Sequence, residues 1–409
     1  MSGDAFDTLL ERGFVAQVSD ADGLRAALAD RSVTLYIGFD STATSLHAGS
    51  LVPIMAMLHM QRAGRRPIAL VGSGTTMVGD PSGKTEMRQM LSEDEIRANG
   101  CRIHAQFDRY LHFDQGRALA LDNADWLLSL SYIPFLRDIG VHFSVNRMLA
   151  AEAYKLRLDR GLSFIEFNYQ LLQAYDYLTL YRRYGCILQM GGDDQWGNIL
   201  AGVDLIRRVE GATTYAVTFP LLTTASGAKM GKTAAGAIWL DAELLSPYEY
   251  YQYWVNCDDR DVERFLKLFT FLPLDEIALL TTLRDADVRR AKQILAYEVT
   301  SITHGESAAQ EAQAASQALF GAGGDLTSIP TTAISAQALA SGIPLATIMA
   351  DVGLATSRGE ARRTIQQGGA YVNGRRVGDV DYVVSEADLA AGGILLRAGK
   401  KRHHRLTLT

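Results

Sequence analysis

The chain contains an early alternation of strand, helix and strand that restricts it to folds with a parallel β-sheet. Residues 33–39 form a largely apolar run that predicts a buried strand, residues 46–63 predict a helix ended by Gly64, and residues 68–71 predict a second strand. Such a unit of about 40 residues places its strands side by side and parallel, with a right-handed crossover. A third strand is predicted at residues 187–190. Because doubly wound sheets bind ligands at the carboxyl ends of their strands, the turns after these three strands are the candidate sites.

The rest of the chain predicts a change of architecture. Ser246, Pro247 and Glu249 form a capping box with proline at the first helical position, and helical periodicity continues to about residue 320. Residues 321–342 are rich in Gly, Ala, Ser and Thr, which is typical of a linker. Residues 343–409 predict a compact module, with a helix opened by Ser357 and a hairpin that has a type I′ turn at residues 373–374.

Composition excludes several classes of protein. The 409 residues are 48% hydrophobic and 21% charged, which is ordinary for a globular chain and unlike membrane, fibrous or disordered proteins. The N-terminal residues lack the apolar stretch of a signal peptide, and no run is long enough to span a membrane. The three cysteines lie far apart without any CxxC spacing, so we expect neither a disulfide framework nor a thiolate metal site, and a reducing compartment fits best.

The charge of the chain is distributed unevenly. Residues 341–409 carry ten basic and six acidic side chains, a charge of +4, so the other residues carry −10 to give the net −6. A basic module on an acidic body predicts an anionic partner that binds at one end of the chain.

The first strand leads into a small polar turn that ends at a histidine. His47 lies in the predicted first turn of a helix, where free N–H groups and the helix dipole attract anions, and Gly49 would allow a nucleotide to approach closely. Taken alone, these residues fit a capped helix with a surface histidine better than they fit a phosphate site.

A second polar cluster lies on a predicted helix opened by the capping box of Ser163 and Glu166. Tyr169, Gln173 and Asp176 fall within about 60° of one another on that helix. A phenol, an amide and a carboxylate on one stripe suit a small zwitterionic ligand that has its own hydroxyl. A solvated polar face is the equally good alternative, although the apolar neighbours indicate burial and therefore a partner for the carboxylate.

Two glycine-rich turns complete the set. Residues 191–196 follow a strand, and an acid such as Asp194 at such a turn commonly binds ribose hydroxyls, although an ordinary Gly-Asp turn explains the residues equally well. Lys229 and Lys232 lie three residues apart in a Gly- and Ala-rich loop and could close over a polyphosphate. Alone, this loop is better explained as mobile and solvated.

Together, these clusters resemble the class I aminoacyl-tRNA synthetases, in particular the bacterial tyrosyl-tRNA synthetases. Residues 41–50 resemble the extended HIGH region of that family, and residues 229–233 resemble its KMSKS loop. Residues 169–176 and 191–198 are similar to its tyrosine and nucleotide segments, and residues 79–84 resemble another family block. The likeness runs from about residue 5 to the C-terminus.

The resemblance implies an α/β fold with five parts. These are a Rossmann-like, doubly wound parallel catalytic domain (1–220), the KMSKS-type loop and connection (221–247), an all-helical domain of the anticodon-binding type (248–320), the linker (321–342) and a small α+β RNA-binding module similar to a ribosomal protein (343–409). The implied reaction is tyrosine activation by ATP, accompanied by Mg²⁺ and without a tightly bound cofactor or resident metal. The implied partners are L-tyrosine, ATP, the tyrosine tRNA and a second copy of the chain in a cytoplasmic homodimer, with no membrane.

The resemblance also assigns residues to roles. Those expected to bind tyrosine are Tyr36 and Asp176 at its phenol, Asp80, Tyr169 and Gln173 at its ammonium, and Gln195 near its carboxylate. Those expected at the ATP site are Gly38, Asp40, His47, Gly49, Gly192, Asp194 and Lys232. Those expected to stabilise the pentacoordinate phosphate and the leaving pyrophosphate are Thr42, His47, Lys84, Arg88, Lys229 and Lys232. Those expected to contact RNA are Arg358, Arg362, Arg363, Arg375 and Arg376.

One departure from the family pattern affects the first cluster. The second histidine of the family tetrad is Ser50 in this chain, and Ser41 and Thr44 replace the usual proline and aspartate. A serine can still donate one hydrogen bond, so we expect activity without a major role for Ser50. Two alternatives remain open, namely a tryptophan-specific synthetase and an RNA-binding protein that has lost the chemistry.

Overall fold

A computed structural model describes residues 5–29, 33–82, 90–158, 161–225, 227, 230–233, 236–282, 286–320, 330–390, 393–399 and 402–408. They divide between two compact units, which comprise residues 1–232, 237–241 and 258–288, and residues 233–236, 242–257 and 289–409. No helix in the described part of the chain is long and apolar enough to cross a membrane.

Strands and helices make up most of the described chain. The strands are β1 (Gln17–Val18), β2 (Thr34–Asp40), β3 (Arg66–Gly72), β4 (Leu119–Asp122), β5 (Cys186–Gly192), β6 (Tyr215–Phe219), β7 (Lys232–Thr233), β8 (Gly236–Ala237), β9 (Thr331–Ile334), β10 (Ile343–Pro344), β11 (Ala370–Val372), β12 (Arg375–Val377), β13 (Val383–Val384), β14 (Ile394–Ala398) and β15 (Arg402–Leu408). The helices are α1 (Ala5–Glu11), α2 (Ala21–Leu28), α3 (Leu51–Arg62), α4 (Ser73–Thr76), α5 (Glu93–Phe107), α6 (Ala124–Leu127), α7 (Tyr132–Asp138), α8 (Val145–Ala150), α9 (Glu152–Leu158), α10 (Phe164–Phe167), α11 (Tyr169–Tyr184), α12 (Trp196–Glu210), α13 (Pro247–Val255), α14 (Val262–Phe269), α15 (Leu274–Thr281), α16 (Ala286–His304), α17 (Glu306–Phe320), α18 (Ala336–Ser341), α19 (Leu345–Asp351) and α20 (Arg358–Gln366).

The first unit is built on a six-stranded sheet of order β1-β6-β5-β2-β3-β4. Strand β2 pairs in parallel with β3 on one side and β5 on the other, and only the edge strand β1 is antiparallel. The predicted Rossmann-like, doubly wound sheet is confirmed, with β2 and β5 flanking the point where the strand order reverses. Because these strands are parallel, Asp40, Gly72, Asp122 and Gly192 end their strands at the same edge of the sheet.

Alternating side chains of β2 and β3 build the core that supports this edge. Tyr36, Ile68 and Leu70 pack in one cluster with residues of α11 and α12 such as Tyr177 and Leu205, all of them almost completely buried. Strands that are covered on both faces need apolar residues at nearly every position, which explains the continuous runs in the sequence.

The helix that carries the second polar cluster is shorter than predicted. The capping box of Ser163 and Glu166 forms, but it opens only α10, which ends at Phe167. Asn168 separates the two elements, and α11 begins at Tyr169. The buried pair of Glu166 with Arg157 fixes this junction, with N–O distances of 3.0 Å.

Residues 258–288 belong to the first unit, which differs from the predicted helical domain of 248–320. The buried guanidinium of Arg12 explains this difference. It donates to the carbonyls of Lys267, Thr270 and Leu272 at 2.6–3.1 Å and so satisfies the groups left open where α14 ends. Sequence periodicity gives the helix but not the distant arginine that attaches it to the first unit.

The C-terminal module contains a five-stranded sheet of order β12-β11-β14-β15-β9. The predicted hairpin is confirmed, with Asn373 and Gly374 at positive φ between β11 and β12. The predicted linker of 321–342 is too long, because β9 pairs in parallel with β15 and Leu339 of α18 is fully buried. An edge strand with alternate residues exposed needs few large apolar side chains, so its composition resembles a linker.

Candidate active site

A cavity of about 190 Å³ lies at the carboxyl ends of β2, β3 and β5. Its walls come from these strands and from α11, so it occupies the crevice expected for a doubly wound sheet. The predicted site residues that line it are Tyr36, Gly38, Asp40, Asp80, Tyr169, Gln173, Asp176, Gly192 and Gln195. The structure therefore brings together residues that are up to 159 positions apart in the chain.

One end of the cavity is formed by the carboxylate of Asp176, which is 2% exposed. Its two oxygens accept hydrogen bonds from Asn123 Nδ2 at 2.9 Å and from Trp126 Nε1 at 2.7 Å. Asn123 is itself fixed, because its Oδ1 accepts from the backbone N–H of Gly74 at 2.8 Å. The carboxylate keeps acceptor capacity for a further donor in the cavity.

Burial controls the protonation of this end of the cavity. Desolvation raises the pKa of Asp176 to about 7, although the hydrogen bonds from Asn123 and Trp126 oppose the rise. Burial, followed by the nearby charge of Asp176, raises the pKa of Tyr36 well above its usual value, so Tyr36 stays a neutral phenol. A neutral hydroxyl and a carboxylate poised near neutrality suit a ligand that carries its own hydroxyl.

Three buried polar atoms on the cavity wall have no hydrogen-bond partner in the described structure. They are the hydroxyl of Tyr36 and the amide oxygens of Gln173 and Gln189. Leaving one such group unsatisfied costs about 1–3 kcal/mol, so three around a single cavity indicate a polar ligand that completes them.

The amide of Gln195 links the carboxylate of Asp80 to the side chain of Asn198 at the cavity wall. Gln195 Nε2 donates to Asp80 Oδ2 at 2.7 Å, while its Oε1 accepts from Asn198 at 3.1 Å. The other oxygen of Asp80 accepts from the backbone N–H of Ser82 at 2.9 Å. Asp80 is thus a fixed, nearly buried anion, which is the group needed to bind an ammonium.

The hydroxyl of Tyr169 does not point only at the ammonium position predicted for it. It donates to the carboxylate of Asp40 at 3.3 and 3.4 Å, and Thr75 donates to the same carboxylate at 3.2 Å. Asp40, at the end of β2, is therefore positioned by groups from two other elements. Gly72 allows this arrangement, since a Cβ at that position would lie 2.6 Å from Asp40 Oδ1.

The glycines predicted for the nucleotide site have different surroundings. Gly38 is exposed beside the cavity, and a Cβ there would meet no atom within 4 Å. Gly192 lies against the side chain of Asp194, and a Cβ at position 192 would lie 2.6 Å from the Asp194 carboxylate. Gly49 is needed for internal packing, because a Cβ would lie 2.7 Å from the ring of His47.

His47 caps its own helical turn. Its Nδ1 accepts from the backbone N–H of Gly49 at 3.0 Å, and a 3₁₀ turn at Ala48–Ser50 leads into α3. A neutral imidazole that accepts at Nδ1 carries its proton on Nε2, so Nε2 is the atom that can donate to a ligand. Ser50 makes no side-chain cap for α3, and its backbone N–H bonds to the carbonyl of His47 at 2.7 Å.

The other residues predicted to bind the phosphates are only partly covered by the described structure. Thr42 is exposed on the turn after β2. Lys84, Arg88 and Lys229 lie outside the described residues, and only the backbone of Lys232, in β7, is described. In the described parts of the chain, no group of three or more His, Cys, Asp or Glu side chains is arranged to hold a metal ion.

The five predicted RNA-contacting arginines are all exposed on the C-terminal module. Arg376 turns back to donate to the carbonyl of Gly368 at 2.8 Å, beyond the end of α20. Arg375 donates to the hydroxyl of Tyr382 at 2.8 Å, and Arg362 lies 3.8 Å from Asp381. The arginines on α20 and on the hairpin thus remain accessible to an anion, although three of them already have weak or local partners.

Sequence reasoning missed the residues that orient the predicted ones. Asn123 and Trp126 follow β4, a four-residue strand that is absent from the predicted elements, and Gln189 lies inside a strand whose prediction depends only on its apolar residues. The one sequence signal for such a residue is Gln189, an amide at the centre of a strand predicted to be buried, because a buried polar group needs a partner.

Comparison with known proteins identifies relatives of both units. The family model described as "tRNA synthetases class I (W and Y)" matches residues 28–321, and that described as "Tyrosine--tRNA ligase SYY-like C-terminal domain" matches residues 325–406. The chain is 55% identical to a tyrosine–tRNA ligase of Desulfosudis oleivorans, over 98% of both chains. It is 52% identical to the tyrosine–tRNA ligase of Clostridium tetani, over the full length of both.

A solved structure agrees with these relatives. The chain superposes on a C-terminally truncated mitochondrial tyrosyl-tRNA synthetase of Aspergillus nidulans with a TM-score of 0.70 and 32% identity, covering 78% of this chain and 94% of the other. The similarity therefore extends from sequence to architecture.

Proposed function

The chain belongs to the tyrosine–tRNA ligases among the class I tRNA synthetases, and on that premise we propose how its residues divide the work. It activates L-tyrosine with ATP to tyrosyl-adenylate and pyrophosphate, and it then transfers tyrosine to the 3′ end of its tRNA. The tryptophan-specific alternative is not favoured, because the relatives are tyrosine–tRNA ligases and because an indole can donate to Asp176 but has no oxygen to accept from Tyr36.

The observation that carries this assignment is the hydroxyl of Tyr36, which has no hydrogen-bond partner among the described residues, on the same cavity as the buried carboxylate of Asp176. The substrate phenol donates to Asp176 and accepts from Tyr36, which completes both groups at once. Asn123 and Trp126 hold the carboxylate in the position in which it accepts from the substrate phenol.

The opposite end of the tyrosine site binds the charged groups of the amino acid. Asp80, Tyr169 and Gln173 bind the ammonium, for which Gln173 Oε1 is an unused acceptor and Asp80 a fixed anion. Gln195 lies next to Asp80 and binds near the substrate carboxylate, the atom group that attacks ATP.

Tyrosine activation needs no general base, because the attacking group is already a carboxylate. The barrier falls through positioning and through stabilisation of the charge that develops on the phosphates. Adenosine is held by Gly38, Asp40, Gly192 and Asp194 beside the ends of β2 and β5.

The phosphates are bound by a separate group of donors. His47 donates from Nε2, since Nδ1 is engaged with Gly49. The other donors we assign to the pentacoordinate phosphate and the leaving pyrophosphate are Thr42, Lys84, Arg88, Lys229 and Lys232. Mg²⁺ enters bound to the ATP phosphates. Ser50 has no assigned part in this step.

Transfer to tRNA requires an RNA-binding surface. We assign it to the C-terminal module, which carries +4 where the rest of the chain carries −10, and to Arg358, Arg362, Arg363, Arg375 and Arg376 in particular. The tRNA is the tyrosine tRNA, and the reaction takes place in the cytoplasm, a reducing compartment that fits the cysteine usage.

We further propose that the protein acts as a homodimer. Eight of the sixteen large apolar residues that are exposed in the described structure fall between residues 128 and 165, and Ile133, Val141 and Phe164 are 69–70% exposed. Such a concentration of exposed apolar side chains is typical of an interface between subunits.

Pyrophosphate exchange measured separately with each standard amino acid tests the assignment. We expect exchange with tyrosine and little with phenylalanine or tryptophan. Exchange with tryptophan instead would identify the other synthetase, and RNA binding without any exchange would identify a protein that has lost the chemistry.

A further inference from the structure

Asp261 is at the N-cap of α14, yet its side chain does not cap that helix. Aspartate at this position ordinarily accepts from its own first turn. In this chain Oδ2 accepts from the backbone N–H of Ala225 at 2.8 Å and Oδ1 accepts from Arg264 at 2.6 Å. The side chain is 3% exposed, so a buried carboxylate is committed to a segment 36 residues earlier in the chain.

Arg264 binds the same segment from the other side. Its Nη2 donates to the carbonyl of Thr223 at 2.6 Å as well as to Asp261. The pair, which we name the clasp (Asp261 and Arg264), therefore holds both a backbone donor and a backbone acceptor of residues 223–225. Hydrogen bonds to charged groups are about twice as strong as neutral ones.

Residues 223–225 lead directly to the lysines of the proposed phosphate site. Leu222, one position before the clasped segment, accepts from the backbone N–H of Met230 at 3.0 Å, and Met230 lies between Lys229 and Lys232. The carbonyl of Met230 in turn lies 3.1 Å from where a Cβ on Gly49 would stand, beside the turn of His47.

The helix that carries the clasp is fixed to the body that carries His47. Arg12 holds the carbonyls after α14, and the ring of Phe271 lies 5.0 Å from that of His59 on α3. Helix α3 follows the His47 turn directly. The clasp and the turn of His47, which flank the proposed phosphate site, are therefore attached to the same packed unit.

We propose that Asp261 and Arg264 are positioning residues for adenylate formation, which fix residues 223–225 and, through the hydrogen bond from Met230 to Leu222, the backbone that leads into Lys232 beside the turn of His47. The inference rests on the proposed function. Neither residue lines the cavity assigned to tyrosine, so the clasp contributes to the chemical step and to ATP but not to amino-acid affinity. A displacement of about 1 Å at a reacting group lowers rates by as much as a hundredfold.

The test compares Asp261→Ala and Arg264→Lys with Arg260→Ala in pyrophosphate exchange and in tyrosine binding at equilibrium. Arg260 is exposed, and its side-chain hydrogen bonds in the described structure go to Asp258 in the same turn rather than to residues 223–225, so it is the matched control. We expect kcat to fall roughly ten- to a hundredfold in Asp261→Ala and less in Arg264→Lys, which keeps the charge but not the fork, with the tyrosine Kd unchanged. Equal loss of tyrosine affinity in both clasp variants, or unchanged kcat in folded Arg264→Lys, would overturn the proposal.

A double variant separates positioning from general structural support. If the clasp acts through the lysines, Asp261→Ala should slow exchange much less in a Lys232→Ala background than in the wild type. Full additivity of the two effects would overturn the proposal. The wild type distinguishes the two levels of inference, because absence of tyrosine-dependent exchange there contradicts the proposed function itself, whereas normal wild-type exchange with unaffected clasp variants contradicts only the clasp.

Discussion

Trp126 donates a 2.7 Å hydrogen bond from its indole nitrogen to the buried carboxylate of Asp176. The bond opposes the effect of burial, and with both influences present the pKa of Asp176 is raised to about 7, so the carboxylate can still ionise near neutral pH. Burial of the charged Asp176 carboxylate lowers the stability of the folded protein. The carboxylate lies at the cavity, where a bound ligand supplies another hydrogen-bond donor.

The first prediction concerns the pH dependence of stability. An unfolded aspartate titrates near pH 3.9, whereas Asp176 titrates at about 7 in the folded chain because burial disfavours its charge. The folded chain therefore holds a proton that the unfolded chain has lost between those values, so the contribution of Asp176 to stability is full below about pH 4 and is lost as the pH rises to about 7. The free energy of unfolding should fall less between pH 5 and pH 8 in Asp176→Asn than in the wild type, as measured by denaturant titration.

The matched control for this experiment is Asp125→Asn, since Asp125 lies next to Trp126 but is exposed. It should keep the wild-type dependence on pH. Parallel curves for the wild type and Asp176→Asn would contradict the raised pKa of Asp176.

The second prediction concerns the hydroxyl of Tyr36. In Tyr36→Phe the preference for tyrosine over phenylalanine in pyrophosphate exchange should narrow, because one of the two groups that reject phenylalanine is gone. The free energy of unfolding of the ligand-free protein should not decrease, since the hydroxyl removed has no hydrogen-bond partner in the part of the chain that the structure describes.

Tyr177→Phe is the control, because its ring lies 5.3 Å from that of Tyr36 while its hydroxyl donates to the carbonyl of Tyr215 at 2.9 Å. It should lower stability and leave the preference unchanged. An unaltered preference in Tyr36→Phe would remove Tyr36 from the substrate site.

The sequence predicts the parts of the fold that local patterns control. The strands at residues 33–39, 68–71 and 187–190 and the hairpin turn at residues 373–374 are all confirmed, because continuous apolar runs and an Asn-Gly pair each have one favourable structure. The edge strand β9 and the attachment of residues 258–288 are set by partners far along the chain, and no local pattern reports them.

The same division applies to the candidate site. Most of the predicted residues that reach the cavity lie on β2, at or just after the end of β5, or on one face of α11, where periodicity fixes direction, whereas Asp80 lies in the loop that follows α4. The residues that donate hydrogen bonds to Asp176 could not be predicted from the sequence, since Asn123 and Trp126 reach Asp176 only because β3 pairs with β4. The hydrogen bond from Tyr169 to Asp40 is likewise a tertiary contact, which changes the expected direction of that hydroxyl.

The third prediction concerns the phosphate donors. Lys232→Ala should raise the free-energy barrier to adenylate formation by about 2–4 kcal/mol while scarcely changing tyrosine affinity. The reason is that the ammonium of Lys232 stabilises charge that develops mainly in the transition state. Single-turnover kinetics and equilibrium binding of tyrosine separate the two effects. Lys267→Ala removes a partly exposed lysine paired with Glu263 on α14 and should change neither. Weaker tyrosine binding at an unchanged chemical rate would assign Lys232 to the amino-acid site.

The fourth prediction concerns the exposed apolar residues at 128–165. Phe164→Asp places a charge where 70% of a phenyl ring is exposed, so it should shift the protein from dimer toward monomer in sedimentation velocity. Leu279→Asp is the control, because Leu279 is also 70% exposed but lies on α15, outside that segment. The same shift in both variants, or a dimeric Phe164→Asp, would place the subunit interface elsewhere.

The last prediction separates tyrosine activation from tRNA charging by ending the chain at residue 320. The cut must fall before β9. A cut at residue 342 would leave β9 on the N-terminal fragment and separate it from β15, the strand with which it pairs. Every residue assigned to tyrosine or ATP precedes residue 233, and the removed module carries the +4 segment. Since phosphate contacts release counterions, their loss weakens RNA binding and flattens its dependence on salt. The truncated protein should exchange pyrophosphate with tyrosine at a near-normal rate and charge tRNA poorly, as measured on one preparation at two salt concentrations. Full charging by the truncated protein would exclude the module as the tRNA-binding element, and loss of exchange in a folded truncated protein would show that the two activities depend on each other.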